Sequence, residues 1–158
     1  MSKMLIIDQA ACTGCRQCEL VCSVKHNGSA NPARARISIV KWEREGFYLP
    51  MLCQKCREPA CAAVCPKGAL SRDDENDLVV WDQDRCIGCK MCVMACPFGA
   101  MSVDTRDGKV FKCDQCDGDP TCVAFCEAGA LKYVESTTAN LTKKRAHGAR
   151  FSEIMRTT

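Results

Sequence analysis

Sixteen cysteines are the residues of this 158-residue chain whose type and spacing could do chemistry. They fall into four groups of four, called here tetrads one to four in chain order. Their members are Cys12, Cys15, Cys18 and Cys22; Cys53, Cys56, Cys61 and Cys65; Cys86, Cys89, Cys92 and Cys96; and Cys113, Cys116, Cys122 and Cys126. Thiolates in sets of four are ligands for iron–sulfur clusters. With no cysteine left over, the sequence predicts four [4Fe–4S] clusters and an electron-carrying chain.

The spacing within each tetrad supports this chemistry. Tetrads one and three read C-x2-C-x2-C-x3-C, the spacing of two-cluster bacterial ferredoxins, while tetrads two and four have a longer middle gap. Three cysteines within seven residues can wrap one cluster in a tight loop. The fourth, expected at the start of a short helix, points away and ligates a second cluster. Tetrads should therefore act in pairs.

Other uses of these cysteines are less favoured. The N-terminal residues MSKMLIID do not form an export signal, so we expect the reducing cytosol, where structural disulfides are rare. Structural zinc would use separated cysteine pairs, often with histidine, and the chain has only His26 and His147. Covalent haem is excluded because no C-x-x-C is followed by histidine.

Charge is divided unevenly along the chain. The formal net charge is +3, but residues 141–158 carry +4 and residues 1–140 carry −1. Each oxidised cluster with its four thiolates adds about −2, which would bring the loaded chain to about −5. An acidic body with a basic tail argues against a nucleic-acid-binding protein.

An internal repeat surrounds the last cysteine of three tetrads. The segments 65–70, 96–101 and 126–131 read CPKGAL, CPFGAM and CEAGAL. Their glycines, Gly68, Gly99 and Gly129, would let the chain leave a short helix and enter a strand. Proline follows the last cysteine only in tetrads two and three, which separates an inner pair of tetrads from an outer pair.

Short hairpins are predicted between the tetrads. Their strands are Arg36–Trp42 with Phe47–Met51, Leu78–Trp81 after the turn Asp73–Asp77, and Met101–Asp104 with Lys109–Phe111 around Asp107-Gly108. Leu5–Ile7 and Leu131–Val134 could pair the two ends of this region. No segment reaches the roughly eighteen apolar residues of a transmembrane helix, so no membrane span is expected.

Four tetrads with the longer gap in the second and fourth resemble the polyferredoxin-like iron–sulfur subunits of multi-subunit oxidoreductases, over about residues 4–135. The resemblance implies an α+β fold of two bacterial-ferredoxin-like dicluster domains with short helices and β-hairpins. The implied divisions are an outer domain of residues 1–30 with 104–135, a hairpin insertion of 31–49, an inner domain of 50–103 and a basic C-terminal extension of 136–158.

The same resemblance implies which cysteines share a cluster. Tetrad one combines with tetrad four, and tetrad two with tetrad three. The implied ligand sets are Cys12, Cys15, Cys18 and Cys126; Cys113, Cys116, Cys122 and Cys22; Cys53, Cys56, Cys61 and Cys96; and Cys86, Cys89, Cys92 and Cys65. Pairing of tetrads in sequential order, one with two and three with four, is the alternative. The clusters should form a bent path for electrons.

The resemblance is strongest to the small subunit of bacterial tungsten aldehyde oxidoreductases. It implies a tungsten or molybdenum pterin catalytic subunit and a flavin subunit that exchanges electrons with NAD. An electron carrier that links carbon monoxide dehydrogenase or formate dehydrogenase to a hydrogenase is the alternative. The chain itself is expected to be non-catalytic, since it has no G-x-G-x-x-G, no P-loop and no spare cysteine.

Two further expectations concern residues outside the tetrads. His26, four residues after Cys22, could tune a cluster potential, although a surface histidine after a helix is the simpler interpretation. The C-terminal extension is expected to dock on a partner subunit or on a second copy of the chain.

Overall fold

The computed structural model describes residues 3–141, 144 and 145. Within them, short helices alternate with short strands in a mixed α+β arrangement. The α-helices are α1 (Gln17–Asn27), α2 (Ala60–Ala63), α3 (Met91–Ala95) and α4 (Thr121–Ala124). The strands are β1 (Lys3–Ile7), β2 (Ser38–Trp42), β3 (Phe47–Met51), β4 (Leu70–Asp73), β5 (Leu78–Trp81), β6 (Met101–Val103), β7 (Val110–Lys112) and β8 (Leu131–Glu135).

The strands form four antiparallel pairs. Three are local hairpins, β2–β3, β4–β5 and β6–β7, which confirms the predicted hairpins to within one or two residues at their ends. The fourth pair joins β1 to β8, with Lys3 opposite Glu135 and Ile7 opposite Leu131. The predicted pairing of the two ends is therefore also confirmed.

Helix length differs between the tetrads, and the residue after the last cysteine accounts for it only in part: tetrad four has Glu127 there, yet α4 has only four residues. Proline follows this cysteine in tetrads two and three, and α2 and α3 are only four and five residues long. Tetrad one has Ser23 there, and α1 continues for eleven residues until Gly28, whose φ of 68° forms the C-cap. Ser23 is fully buried and its Oγ accepts a hydrogen bond from Asn31 N over 3.0 Å.

One local expectation was wrong. The last cysteine of a tetrad does not begin a helix: Cys96 caps the C-terminal end of α3, and Cys65 lies two residues beyond α2. Each helix instead begins one residue before the third cysteine, as α2 does at Ala60 before Cys61, and only α1 continues past the fourth. A thiol at this end can be reached by the backbone N–H groups of the following turn, which enters the next strand through a left-handed glycine such as Gly68.

Two separate hydrophobic clusters form the core of the described residues. The first joins β1, α1, the β2–β3 hairpin and β8 through Leu5, Ile37, Ile39, Leu52 and Leu131. The second gathers residues of β4, β5, α3, β6 and β7, namely Leu70, Val79, Cys92, Met101 and Val110. Cysteines belong to both clusters, as expected if bound cofactors complete the core.

The β6–β7 hairpin spans the predicted domain boundary between residues 103 and 104, and Val110 lies in the second cluster. Of the predicted C-terminal extension, residues 136–141 are helical, with Ala139 buried and Leu141 exposed. Residues 142, 143 and 146–158 lie outside the described part of the sequence, including most of the segment predicted to dock. No described helix has the length and apolar character that crossing a bilayer requires.

Candidate metal centres

Each cysteine loop is shaped by residues with left-handed backbone conformations. In tetrads one and three, Gly14 and Gly88 have φ of 67° and 68°, and Arg16 and Lys90 both have φ of 63°. Alternation of left-handed and right-handed residues turns successive N–H groups toward a common centre, which forms an anion-binding concavity. The two loops therefore share one backbone shape, as their identical spacing predicts.

Tetrads two and four reach similar turns without glycine. Lys55 has φ of 51°, and Gln115, Cys116 and Asp117 have φ of 60°, 51° and 54°. Non-glycine residues in this region carry a conformational cost of about 1–3 kcal/mol each, and such residues cluster at functional sites. Asp114 supports the turn of tetrad four, because its Oδ1 accepts a hydrogen bond from Cys116 N over 3.0 Å.

Three cavities are each lined by four cysteines that come from two different tetrads. The empty space in each, part of it open to solvent, is about 350, 340 and 350 Å³. The cysteines that line them are, in the same order, Cys12, Cys15, Cys18 and Cys126; Cys22, Cys113, Cys116 and Cys122; and Cys65, Cys86, Cys89 and Cys92. In each, three cysteines of one tetrad meet the last cysteine of another.

The remaining four cysteines are Cys53, Cys56, Cys61 and Cys96. Burial raises the pKa of Cys61, and the neighbouring thiols of Cys53 and Cys96 raise it further. Cys53 and Cys96 therefore both lie within electrostatic reach of Cys61. Here too, the last cysteine of one tetrad is close to cysteines of another.

Electrostatic contacts also join one set of four cysteines to the next. Burial is the main cause of the raised pKa values of Cys122, Cys113 and Cys92, but cysteines of other sets contribute. Cys122 is affected by Cys18, Cys113 by Cys53, and Cys92 by Cys61. These influences link the Cys12 set with the Cys22 set, the Cys22 set with the Cys53 set, and the Cys53 set with the Cys86 set.

The donor chemistry fits iron–sulfur clusters better than single metal ions. In the described part of the sequence, the only three or more metal-ligating atoms within 4.8 Å of one another belong to His26, Asp114 and Cys116. A tetrahedral zinc ion would hold four sulfurs about 3.8 Å apart, from its Zn–S distance of about 2.3 Å. The cysteines instead surround a larger space, as ligands of a multi-iron group do.

Backbone N–H groups also point at the cysteine sulfurs. Arg36 N lies 3.2 Å from Cys22 Sγ, and Ala69 N lies 3.3 Å from Cys65 Sγ. Ala100 N makes the equivalent contact with Cys96 Sγ over 3.4 Å. Such donors stabilise the negative charge of cluster sulfurs and help set reduction potentials. At Cys65, burial opposes ionisation, yet the donors from residues 67–70 outweigh it and lower the pKa.

Without bound metal, most of the affected thiols resist ionisation. Burial raises the pKa of Cys18 and Cys113 to about 12. Neighbouring thiols raise the pKa of Cys18 further, since thiolates crowded around one cavity repel. The thiolate is the metal-binding form. A positively charged iron core would remove this penalty by compensating the thiolate charges, so the cysteines fit that group.

A histidine lines the cavity of Cys116, and none lines the other two cavities. His26 Nε2 lies 3.6 Å from Cys116 Sγ and 3.5 Å from Asp114 Oδ1. Asp114 also forms an ion pair with Arg36. Burial lowers the pKa of His26, and the Arg36 guanidinium lowers it further, although Asp114 opposes both. The structure therefore brings His26 to a candidate metal centre.

Sequence reasoning missed Asp114 and Arg36. For His26 a signal existed: it lies four residues after Cys22, and residues at i and i+4 share a helix face. For Arg36 none existed, because its contact with Asp114 joins residues far apart in sequence.

The sequence matches the 4Fe-4S dicluster domain family over residues 44–136 and a 4Fe-4S binding domain over residues 9–25. It is 40% identical over 142 residues to the NADH-dependent phenylglyoxylate dehydrogenase subunit beta of Aromatoleum evansii, covering 87% of this chain and 31% of that subunit. It is 41% identical over 113 residues to the electron transport protein HydN of Escherichia coli strain K12, covering 67% of this chain and 62% of HydN. The chain thus spans about a third of the length of the first relative and somewhat under two thirds of the length of the second.

A solved structure with a similar fold is the active site complex BamBC of benzoyl coenzyme A reductase as isolated. One of its polypeptides superposes with a TM-score of 0.52 at 25% sequence identity. The superposition covers 94% of this chain and 90% of that polypeptide. The similarity in fold therefore extends over nearly the whole length of both.

Proposed function

This protein belongs to the 4Fe-4S dicluster domain family, and from that membership we propose that it is a non-catalytic electron-transfer subunit that holds four [4Fe–4S] clusters. The two matched ranges contain all sixteen cysteines. A bound cluster of this kind takes up and returns electrons one at a time. The residues of the chain ligate the clusters, shield them from water and hold them in a fixed order.

The observation that carries this proposal is the meeting of four cysteines around each of three cavities. We assign one cluster to each cavity, with the four cysteines that line it as ligands. The fourth cluster is assigned to Cys53, Cys56, Cys61 and Cys96, supported by the influence of Cys53 and Cys96 on Cys61. Sequential pairing of the tetrads would put together cysteines that line different cavities.

Two dicluster units follow from these ligand sets. The outer unit is formed by tetrads one and four, and the inner unit by tetrads two and three. We extend the inner unit from residue 50 through Lys112, because β7 pairs with β6 and Val110 packs with the inner residues. The β2–β3 hairpin, predicted as an insertion, packs on the core of the outer unit through Ile39.

The contacts between cysteine sets suggest a linear path for electrons. Its two ends would be the Cys12 set and the Cys86 set. Of the sixteen cysteines only Cys15 and Cys89 are exposed, and they belong to these two end sets. Electrons would enter and leave near these thiols, where a partner's redox group could approach most closely.

The two ends differ in charge. The cavity of Cys89 is lined by the exposed cations Lys67, Arg85 and Lys90. The cavity of Cys15 is lined by one cation, Arg16. Its charge is paired with a carboxylate, because Arg16 Nε lies 2.8 Å from Glu19 Oε2. Different partners are expected at the two ends, because charge patterns select partners at protein interfaces.

For those partners we propose a tungsten pterin subunit that oxidises aldehydes and a flavin subunit that exchanges electrons with NAD. The relative from Aromatoleum evansii, an NADH-dependent dehydrogenase subunit, supports the link to a nicotinamide cofactor. The 41% identity to HydN, an electron transport protein, supports an electron carrier as the second candidate. For that carrier we propose a link between carbon monoxide or formate dehydrogenase and a hydrogenase.

The experiment that tests the function is anaerobic purification of the native complex through a tag on this chain, followed by metal, sulfide and flavin analysis. About sixteen irons per chain, after subtraction of the partners' own, would support four clusters. Tungsten with flavin in the complex favours the aldehyde branch, and nickel or molybdenum without flavin favours the second candidate. About twelve irons or fewer in the fully reconstituted chain would overturn the four-cluster proposal.

A further inference from the structure

His26 is placed where it can act on one cluster and not on the others. It lies in the last turn of α1 and lines the cavity of Cys22, Cys113, Cys116 and Cys122. On its other side it lines a polar cleft of about 650 Å³ between residues of the two proposed units. Its side chain is only 12% exposed, so its position is fixed by packing and not by solvent.

The neighbours of His26 Nε2 determine what that atom does. The two polar side-chain atoms within 3.6 Å are Cys116 Sγ and Asp114 Oδ1. A metal-bound cysteine sulfur accepts hydrogen bonds and cannot donate one, and an ionised carboxylate likewise only accepts. Nε2 must therefore carry a hydrogen when Cys116 is a ligand, in either charge state of the imidazole.

Asp114 holds this donor in place. It accepts a hydrogen bond from Cys116 N, pairs with Arg36 and lies 3.5 Å from His26. Arg36 in turn donates its backbone N–H to Cys22 Sγ, a second thiol of the same cavity. His26, Asp114 and Arg36 thus form one polar group, and this group contacts two of the four thiols around the cavity, Cys116 and Cys22.

No comparable group lines the other two cavities. Their polar lining side chains, besides cysteines, are Lys67, Arg85 and Lys90 in one and Thr13, Arg16 and Gln17 in the other. No histidine or carboxylate is among them. Of the three cavities His26 lines only one, so its effect is expected on the cluster assigned there.

We propose that His26 is a positioning and tuning residue whose Nε2–H donates a hydrogen bond to Cys116 Sγ and raises the reduction potential of the cluster held by Cys22, Cys113, Cys116 and Cys122. A hydrogen bond to a ligand sulfur withdraws charge from the cluster and stabilises its reduced, more negative state. The inference rests on the proposed function, because it requires a cluster in this cavity. In the suggested path this cluster is second from the Cys15 end, so its potential would control passage between the outer and inner units.

The first test is a redox titration of the full-length, cluster-loaded chain, followed by electron paramagnetic resonance. His26→Leu removes the donor at similar volume and is expected to lower one of the four midpoint potentials. His26→Gln retains an N–H donor and should keep that potential nearer to wild type. Lys25→Leu, which removes an exposed cation from the adjacent position, is the matched control and should shift none of them comparably.

The second test does not require the leucine variant to fold. The chain has two histidines, so labelling with ¹⁵N-histidine marks only His26 and His147. Pulsed electron paramagnetic resonance of the reduced protein should detect ¹⁵N coupling to one cluster. The coupling should persist in His147→Gln and vanish in His26→Gln. Absence of coupling in wild type, or its persistence in His26→Gln, would overturn the proposal.

Iron content separates the two possible failures. A wild-type chain that cannot be loaded with about sixteen irons contradicts the proposed function itself. A fully loaded chain whose four potentials are the same in wild type and His26→Leu contradicts only the role of His26. Equal shifts in the leucine and glutamine variants would also contradict it, because loss of packing and not loss of the donor would then be the cause.

Discussion

Arg34 Nε donates a hydrogen bond to Asp104 Oδ2 over 2.9 Å. Arg34 ends the 3-10 helix that follows α1, and Asp104 follows β6, so this contact joins residues on the two sides of the polar cleft. Both side chains are largely buried, with 14% and 12% exposed. The ion pair therefore connects the outer part of the molecule to the β6–β7 hairpin.

Removal of the Arg34–Asp104 ion pair should weaken the connection between the outer part of the molecule and the β6–β7 hairpin. We expect Arg34→Met to reduce the stability of the loaded protein by about 1–3 kcal/mol, because it leaves a partly buried carboxylate without its main partner. The rate and midpoint of urea-induced loss of cluster absorbance would measure this. Arg106→Met is the matched control, since Arg106 is 68% exposed and lies 3.8 Å from the same carboxylate. An equal loss in the control would show that Arg34 has no special role.

Acid should abolish the contribution of Asp104. A backbone hydrogen bond from Arg106, followed by the contact with Arg34, lowers the pKa of Asp104 below its usual 3.8. A carboxyl group with a lowered pKa in the folded state stabilises the fold above its unfolded pKa, and that stability is lost as the pH falls through the folded pKa. Asp104→Asn should therefore lose clusters faster than wild type at pH 7, with the ratio falling towards one only as the pH drops below 3.8 and through the lower pKa of folded Asp104.

Acid also attacks the clusters directly, but this effect is common to both proteins and cancels in the ratio. A ratio that stays constant from about pH 7 to about pH 3 would mean that the charge of Asp104 does not contribute to stability.

Paired cysteine variants can distinguish crossed from sequential ligation. Cys12→Ala with Cys126→Ala removes two thiols that line one cavity, so three clusters should remain intact. Cys12→Ala with Cys22→Ala removes thiols of two cavities and should damage two clusters. Mössbauer spectroscopy of protein enriched in ⁵⁷Fe would count the intact clusters. Two clusters damaged in each variant would favour sequential pairing, and two in the first with one in the second would mean that each tetrad binds its own cluster.

Gly14 should be intolerant of any side chain. Its φ is 67°, and an added Cβ would lie 2.5 Å from Tyr48 Cδ1. We expect Gly14→Ala to destabilise the loaded protein by about 1–3 kcal/mol more than Gly108→Ala. Gly108 is the matched control because its φ is 70° but an added Cβ would meet no atom within 4 Å. Urea unfolding and iron content would measure the difference, and equal losses would exclude the contact with Tyr48 as the cause.

The sequence predicted those structural features that depend on residues close together in the chain, and missed those that depend on distant residues. The hairpins were predictable because strand alternation and turns such as Asp107-Gly108 are local. The greater length of α1 was not predicted: Ser23 replaces the proline of tetrads two and three, but Glu127 does the same in tetrad four, where α4 is short. The predicted position of the helix relative to the last cysteine was wrong. Cysteine spacing gives the number of residues between ligands but does not show whether the helix precedes or follows the last ligand.

The sites were predicted only in part. The cysteine sets came from resemblance, since residues as distant as Cys18 and Cys126 carry no local sign of their proximity. The pairs Arg34–Asp104 and Arg36–Asp114 were not predicted, because a charged side chain in a sequence gives no indication of its distant partner. His26 was noticed through its spacing from Cys22, but its placement depended on the fold of tetrad four.

The pairing of β1 with β8 has a consequence for how the protein is made on the ribosome. Cys12, Cys15 and Cys18 emerge early, yet the cysteine that shares their cavity, Cys126, is among the last residues of the folded region to be synthesised. At about 5–20 residues per second, the delay is about 5–20 s. During that time the early thiols are exposed and lack their fourth partner, while both cysteine segments of the inner unit are already complete. With the proposed ligand sets, assembly would therefore proceed from the middle of the chain outward, and delivery of iron to the outer unit would wait until translation is nearly finished.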